Sequence, residues 1–178
     1  MPDGKLVKRD VIAHPGAVAV VALDDDERVV MVRQYRHPVR ALLLELPAGL
    51  LDVDGEPALE AAKRELFEEA ALIASEWAVL VDLHTSPGMT DEAIRVYVAR
   101  DLTAVAGQDR FVSEAEELTM TVERYSLDEL VELALAGELT NGPAVAGVLA
   151  AKLAEQRGWQ GLRPADAPWN TGPRESSR

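Results

Sequence analysis

The chain has 178 residues, enough for one domain with a real core and too few for two comfortable ones. Its net charge of −13 argues against a general binder of nucleic acid or anionic membrane, and a protein so acidic needs cations as intermediaries if it handles phosphates. The absence of cysteine excludes a disulfide scaffold, a thiol nucleophile and a cysteine metal site. No apolar run approaches the roughly 18 residues of a membrane span. The first residues, MPDGKLVKRD, lack the apolar segment of a secretory signal, so the expected location is cytoplasmic.

Residues 6–12 read as a short strand, broken by His14-Pro15-Gly16. Ala17–Leu23 (AVAVVAL) is a continuous apolar run, the pattern of a strand buried on both faces. A polar turn at 24–27 leads to a second strand over 28–35, so a hairpin is expected. A third short strand over 41–46 runs into Pro47-Ala48-Gly49. A helix follows from about Pro57 to Ala70, then strands over 76–83 and 93–100 flank the turn-rich stretch TSPGMTDE. The polar connection over 101–117 is long for a compact domain, where such loops are usually functional or disordered. A strand over 118–124 precedes Ser126-Leu127-Asp128-Glu129, a capping box that opens a helix to about Ala136. Asn141-Gly142-Pro143 starts a last helix running to about Gln156. The pattern predicts one domain over 1–157 and an extended or disordered tail over 158–178, which holds Trp159 and Trp169; Trp77 reads as core. Strands and helices mix without a regular βαβ repeat, which indicates α+β, or a mixed sheet between helices.

The helix over 57–70 carries Glu65, Glu68 and Glu69 within a narrow arc. Glu65 and Glu69 stand four apart, a like-charge spacing that destabilises an isolated helix. Leu59, Ala62 and Leu66 lie just around the helix, so the acids border its core-facing side. A hard divalent cation resolves that repulsion, because Mg²⁺ takes oxygen ligands. Glu65 and Glu69 are the best candidates for metal ligands, with Glu68 joining them or bridging a second ion. Arg64 is suited to orient the acids by ion pairing, and Glu56 to support the loop.

Arg64-Glu65-Leu66-Phe67-Glu68-Glu69, with Glu56 upstream and Gly49 at the loop start, resembles the Nudix box. Two departures are visible: the loop between Gly49 and Glu56 is one residue longer than the family pattern, and Ala71 stands where the pattern has Gly. Neither removes a carboxylate. The resemblance implies an α/β/α sandwich with a mixed β-sheet between helices. It also implies metal ligation by the backbone carbonyl of Ala48. Pro87, inside Ser86-Pro87-Gly88, lies sixteen residues after Ala71 and resembles the marker of the ADP-ribose pyrophosphatase branch. Gln34-Tyr35-Arg36 and Glu45-Leu46-Pro47-Ala48-Gly49-Leu50 look like the same branch.

That branch implies Mg²⁺-dependent hydrolysis of ADP-ribose to AMP and ribose 5-phosphate, with Mn²⁺ as a substitute metal. Its general base comes from a loop after the box. Glu114-Ala115-Glu116-Glu117 resembles that segment, which assigns Glu114 as base and Glu116 as a metal ligand. Arg36, Arg33 and Arg95 are candidates for the substrate phosphates, since guanidinium forks suit phosphate oxygens. Glu45, Pro87 and Gly88 complete the expected substrate-binding set. His14, His37 and His84 show no metal spacing and read as incidental. The branch also implies a homodimer with an N-terminal region packed between subunits, of which only about a dozen residues precede Ala13 here. Nucleic acid and membrane are not expected partners. Two rivals stay open: the same chemistry on another nucleotide sugar, such as ADP-glucose or GDP-mannose, and a non-hydrolysing module that senses ADP-ribose.

Overall fold

A computed structural model describes residues 4–105 and 120–173. Its sheet is built around β1 (Ala17–Leu23), in which every residue is buried. Such a strand needs a cover on both faces, and side-chain alternation distributes it between two cores. Ala17, Ala19, Val21 and Leu23 face one core, and Val18, Val20 and Ala22 face the other. Each fully buried valine contributes about 1.5–3 kcal/mol of hydrophobic stabilisation.

The other strands are β2 (Arg28–Arg36), β3 (Ala41–Glu45), β4 (Ala48–Leu50), β5 (Leu72–His84), β6 (Ala93–Ala104), β7 (Thr121–Ser126) and β8 (Arg163–Pro164). Hydrogen bonding follows the order β3-β2-β1-β6-β5-β8, with β4 paired to β1 and β7 to β2. The β1–β6 pairing is parallel and the others are antiparallel, so the sheet is mixed. Helix α1 (Ala58–Ala70) covers one face, packing Ala61, Ala62 and Leu66 on Val18, Val20 and Val30. Helices α2 (Leu127–Leu135) and α3 (Gly142–Gln156) cover the other, with Leu127, Leu130, Ala144 and Val148 in the second core. The result is the expected α/β/α sandwich. Among the described residues, no helix is long and apolar enough to cross a membrane.

Helix starts follow the local chemistry. The Ser126 hydroxyl accepts from the Glu129 N–H at 3.2 Å, and the Glu129 carboxylate accepts from the Ser126 N–H at 2.7 Å, closing the capping box. Asn141, not Gly142, caps α3, its side chain accepting from the Ala144 N–H at 3.0 Å. Pro57 is the residue before α1, extended at φ −63° and ψ 144°. At the other end of α1, Ala71 adopts the left-handed conformation at φ 52° and ψ 42°. That reversal feeds the chain directly into β5, which therefore begins at Leu72 and not at Glu76. A Cβ at positive φ is strained, and glycine removes the strain. Ala71→Gly is expected to stabilise the protein by about 1 kcal/mol, raising the melting temperature by about 2–4 °C in a calorimetric scan.

Three expectations need correction. Residues 6–12 are not a strand among the described residues: a single bridge joins Ile12 to Thr90, and Leu6, Val7 and Val11 are exposed. β6 runs to Ala104, into the stretch read as a connection, because β5 continues alongside it and pairs Leu72 with Ala104. The tail is docked as far as Pro173. Its Arg163–Pro164 pairs with Val79 and Ala78, and Trp159 and Leu162 pack on the core under α3. The Arg95 guanidinium holds it further, donating to the carbonyls of Ala167 at 2.7 Å and Pro168 at 3.2 Å beneath the Trp169 ring. A proline in this edge strand also removes an N–H that another strand would use.

Candidate active site

The acidic arc of α1 lies against β4, and the closeness of the approach depends on Gly49. A Cβ on Gly49 would lie 2.0 Å from both Cδ and Oε1 of Glu65. Only a bare Cα leaves room for that carboxylate, which is buried with its residue only 9% exposed. Four residues on, Glu69 accepts from the Ala48 N–H at 2.9 Å. The helix period of 3.6 puts Glu65 and Glu69 one turn apart on the side facing β4. Gly49→Ala is expected to expel the Glu65 carboxylate and lower kcat by roughly tenfold or more, with a stability loss of about 1–3 kcal/mol from overpacking. Steady-state kinetics and thermal melts on the one variant check both parts.

Arg64 knits the remaining acids together. Its guanidinium donates to both oxygens of Glu56, at 3.1 and 3.0 Å, to Glu65 at 2.6 Å and to Glu68 at 3.2 Å. Hydrogen bonding to Arg64 holds the Glu56 carboxyl below its usual range. The same bonds, accepted by Glu56, together with the charges of Glu65 and Glu56 raise the Arg64 pKa further above its already high value. Arg64 keeps one face of the arc neutralised while Glu69 is steered by a backbone N–H.

Among the described residues, no three His, Cys, Asp or Glu side chains are gathered at a spacing that holds a metal ion. The carboxylates stand as an arc, with Glu56, Glu65 and Glu68 bonded to the Arg64 guanidinium and Glu69 to the Ala48 N–H. Their chemistry still suits a hard cation: every candidate donor is a carboxylate or carbonyl oxygen, on a rigid helix and the adjoining strand. Glu65, Glu68, Glu69 and the carbonyl of Ala48 are the residues available to hold one. Glu114 and Glu116 lie outside the described residues.

The substrate candidates separate by strand parity. Arg36 donates to Glu45 through two bonds, at 3.0 and 2.7 Å, and the Glu45 side chain is only 4% exposed. Leu44 belongs to the α2–α3 core, so Glu45, the next residue along β3, faces the α1 side. Arg36 and Glu45 therefore share the face of the acidic helix. Arg33 faces the opposite side with Val29 and Met31, and its fork closes on Glu123 at 2.7 and 3.0 Å. Arg95 is 3% exposed and engages Asp82 with both sides of its fork, at 2.8 and 3.1 Å. Both forks are engaged in ion pairs, and the burial of Arg95 was readable, because alternation along β6 places it on the buried face of Tyr97 and Ala99.

The Arg33 contact has a pH signature. Hydrogen bonds from Arg33 and then Tyr125 pull the Glu123 carboxyl down from 4.5 to about 2. A carboxylate with a depressed folded pKa stabilises fully above its unfolded value, and that contribution fades as pH falls from about 4.5 towards 2. Glu123→Gln is expected to cost about 1 kcal/mol at pH 7, because the pair is partly exposed and screened, and nothing near pH 2. Urea midpoints of both proteins across that range measure the closing gap.

Pro87 and Gly88 are exposed on the loop between β5 and β6. The sheet register brings that loop to the acids. Ile94, at the start of β6, pairs with Ala17 on one side of β1, and Leu50 of β4 pairs with Ala17 on the other. Two strand spacings, about 10 Å, therefore separate the base of the loop from the strand that meets Glu65 and Glu69.

An oxygen-donor helix set against a backbone strand, with Arg36 on the same face of a mixed sheet, is an arrangement that can hold a hard cation beside a phosphate. The family model for the NUDIX domain matches residues 13–146. The chain belongs to the Nudix family. It is 48% identical over 169 residues to the ADP-ribose pyrophosphatase of Mycobacterium tuberculosis, covering 95% of this chain and 80% of that protein. It is 38% identical over 125 residues to the ADP-ribose pyrophosphatase of Bacillus subtilis, covering 67% of this chain and 66% of the relative. The crystal structure of an ADP compounds hydrolase superposes with a TM-score of 0.69 at 25% identity, covering 80% of this chain and 74% of the other.

Proposed function

We propose that this protein hydrolyses the pyrophosphate bond of ADP-ribose to AMP and ribose 5-phosphate by water attack on phosphorus, with a divalent metal ion. One observation carries the reading: the Glu65–Gly49 and Glu69–Ala48 contacts occur in a chain 48% identical, along 95% of its length, to an ADP-ribose pyrophosphatase. Members of the family use divalent metal ions. Mg²⁺ is the ion best suited to this donor set, with Mn²⁺ as a substitute. When bound, such an ion would neutralise charge developing on the phosphate and lower the pKa of an attacking water.

The chain's own residues then divide the work. Glu65, Glu69, Glu116 and the Ala48 carbonyl hold the metal, and Glu68 joins them. Arg64 keeps the arc in register. Glu114 takes the proton from the attacking water, since a base on a loop can close over bound substrate. Arg36, fixed in direction by the buried Glu45, meets a phosphate from the face of α1. Pro87 and Gly88 form the wall that reads the distal ribose. Arg33 is left out of this set, because it lies on the opposite face.

The enzyme is read as a cytoplasmic homodimer that engages neither nucleic acid nor membrane. Exposed Ile12 and Met89, side by side across the Ile12–Thr90 bridge, supply apolar surface for a second copy. The function is tested by kcat/KM for ADP-ribose, ADP-glucose and GDP-mannose on one preparation, whose mass by light scattering tests the dimer. ADP-ribose is expected to lead, and a lead for either other sugar would overturn the substrate assignment.

A further inference from the structure

The turn at Pro87 is closed by its own bonds, the Met89 and Thr90 N–H groups both donating to the Ser86 carbonyl at 3.0 Å, and it is tied as well to a segment distant in sequence. The Ile12 N–H donates to the Met89 carbonyl at 2.9 Å, and the Thr90 hydroxyl donates back to the Ile12 carbonyl at 2.9 Å. The His14 N–H donates to Asp91 Oδ1 at 2.9 Å. His14 Nδ1 accepts from the Gly16 N–H at 3.1 Å, so the neutral ring carries its proton on Nε2, which lies 3.4 Å from Glu92 Oε1. The other oxygen of Glu92 is bonded to the Thr85 hydroxyl. Both ends of the 85–92 loop are thus tied through Asp91 and Glu92 to residues 12–14.

The segment is itself pinned at Gly16. The Gly16 carbonyl accepts from the Leu51 N–H at 3.0 Å, immediately after β4. Gly16 has φ +91°, and a Cβ there would lie 2.2 Å from Pro173 Cγ, so the docked C-terminal segment closes over the same point. A continuous path of bonds therefore runs from the Pro87 turn, through residues 12–16, to the strand that meets Glu65 and Glu69. That path spans the distance between the Pro87 turn and the acidic arc alongside the register of β4, β1 and β6.

We propose that residues 12–16 are a latch that sets this distance, with Asp91 and His14 as positioning residues for substrate binding. The inference rests on reading Pro87 and Gly88 as the substrate wall. Misplacing such a wall by a fraction of an ångström weakens binding without touching the residues that act on water.

Asp91→Ala removes the acceptor for the His14 N–H, and Asp91→Asn keeps an oxygen there. Asp91→Ala is expected to raise KM for ADP-ribose about tenfold, the equivalent of one hydrogen bond, with kcat within about twofold. Amide exchange over 86–92 should accelerate in the same variant. Asp91→Asn is expected to restore both. Should Asp91→Ala not fold, His14→Ala, which keeps the backbone N–H but removes the ring's bond from the Gly16 N–H and its contact with Glu92, breaks the same segment at a second point and is expected to raise KM and exchange in the same direction. Unchanged KM and exchange in the alanine variants would overturn the latch, as would equal impairment of Asp91→Asn. If the unaltered protein fails to turn over ADP-ribose, the functional reading fails on that result, while exchange over 86–92 still decides the latch.

Discussion

Glu69→Gln is expected to lower kcat by about a hundredfold or more, with the melting temperature close to that of the unaltered protein. The substitution separates two roles of one side chain. The carboxylate accepts from the Ala48 N–H at 2.9 Å, and glutamine retains an oxygen for that bond. What glutamine lacks is the charge that a divalent cation needs. Circular dichroism and kcat over a Mg²⁺ titration check the two halves. A folded variant of near-normal turnover would assign Glu69 to anchoring β4 alone. Glu69→Ala supplies the comparison, losing the charge and the hydrogen bond together.

Glu114→Gln is the second large effect. A positioned base contributes about 10²–10⁴ in rate, so kcat should fall by that order while KM stays nearly constant. The split between kcat and KM is the discriminating readout. Loss of a metal ligand would instead show as a raised requirement for Mg²⁺. Measuring both constants at several Mg²⁺ concentrations distinguishes Glu114 from Glu116, two positions further along the same stretch.

The parts of this fold that were legible in the sequence are those determined by near neighbours. The run Ala17–Leu23 announced a strand covered on both faces, and all of it is buried. Ser126 and Glu129 announced the start of α2, and their reciprocal bonds are present. The ion pairs of Arg64 were legible because helical spacing puts Glu68 within its reach and Glu65 is its neighbour. Ala71 was legible as a departure at a position where a positive φ favours glycine, and its φ of 52° bears that out.

What escaped the sequence depends on contacts between distant residues. The segment after Gly158 has the breakers and low periodicity of a loose tail. It is docked because Trp159 stacks 5.1 Å from the Arg100 guanidinium and Trp169 stacks 4.9 Å from that of Arg95, two cations on β6. Nothing local foretells such a pairing. His14 reads as incidental for the same reason, since the carboxylate its ring meets, Glu92, is distant in sequence. Arg33 differs, because its face follows from parity along β2 once Val29 and Met31 are assigned to a core. The sequence shows the parity but not which face carries the acids.

The most direct test of the central claim is the hydrolysis of ADP-ribose by the purified protein in ¹⁸O-labelled water, with Mg²⁺ and after chelation. The account predicts equal amounts of AMP and ribose 5-phosphate, one ¹⁸O atom in one of the two phosphates, and no products once the metal is removed. Tight binding of ADP-ribose with no turnover in Mg²⁺ or Mn²⁺ would contradict it.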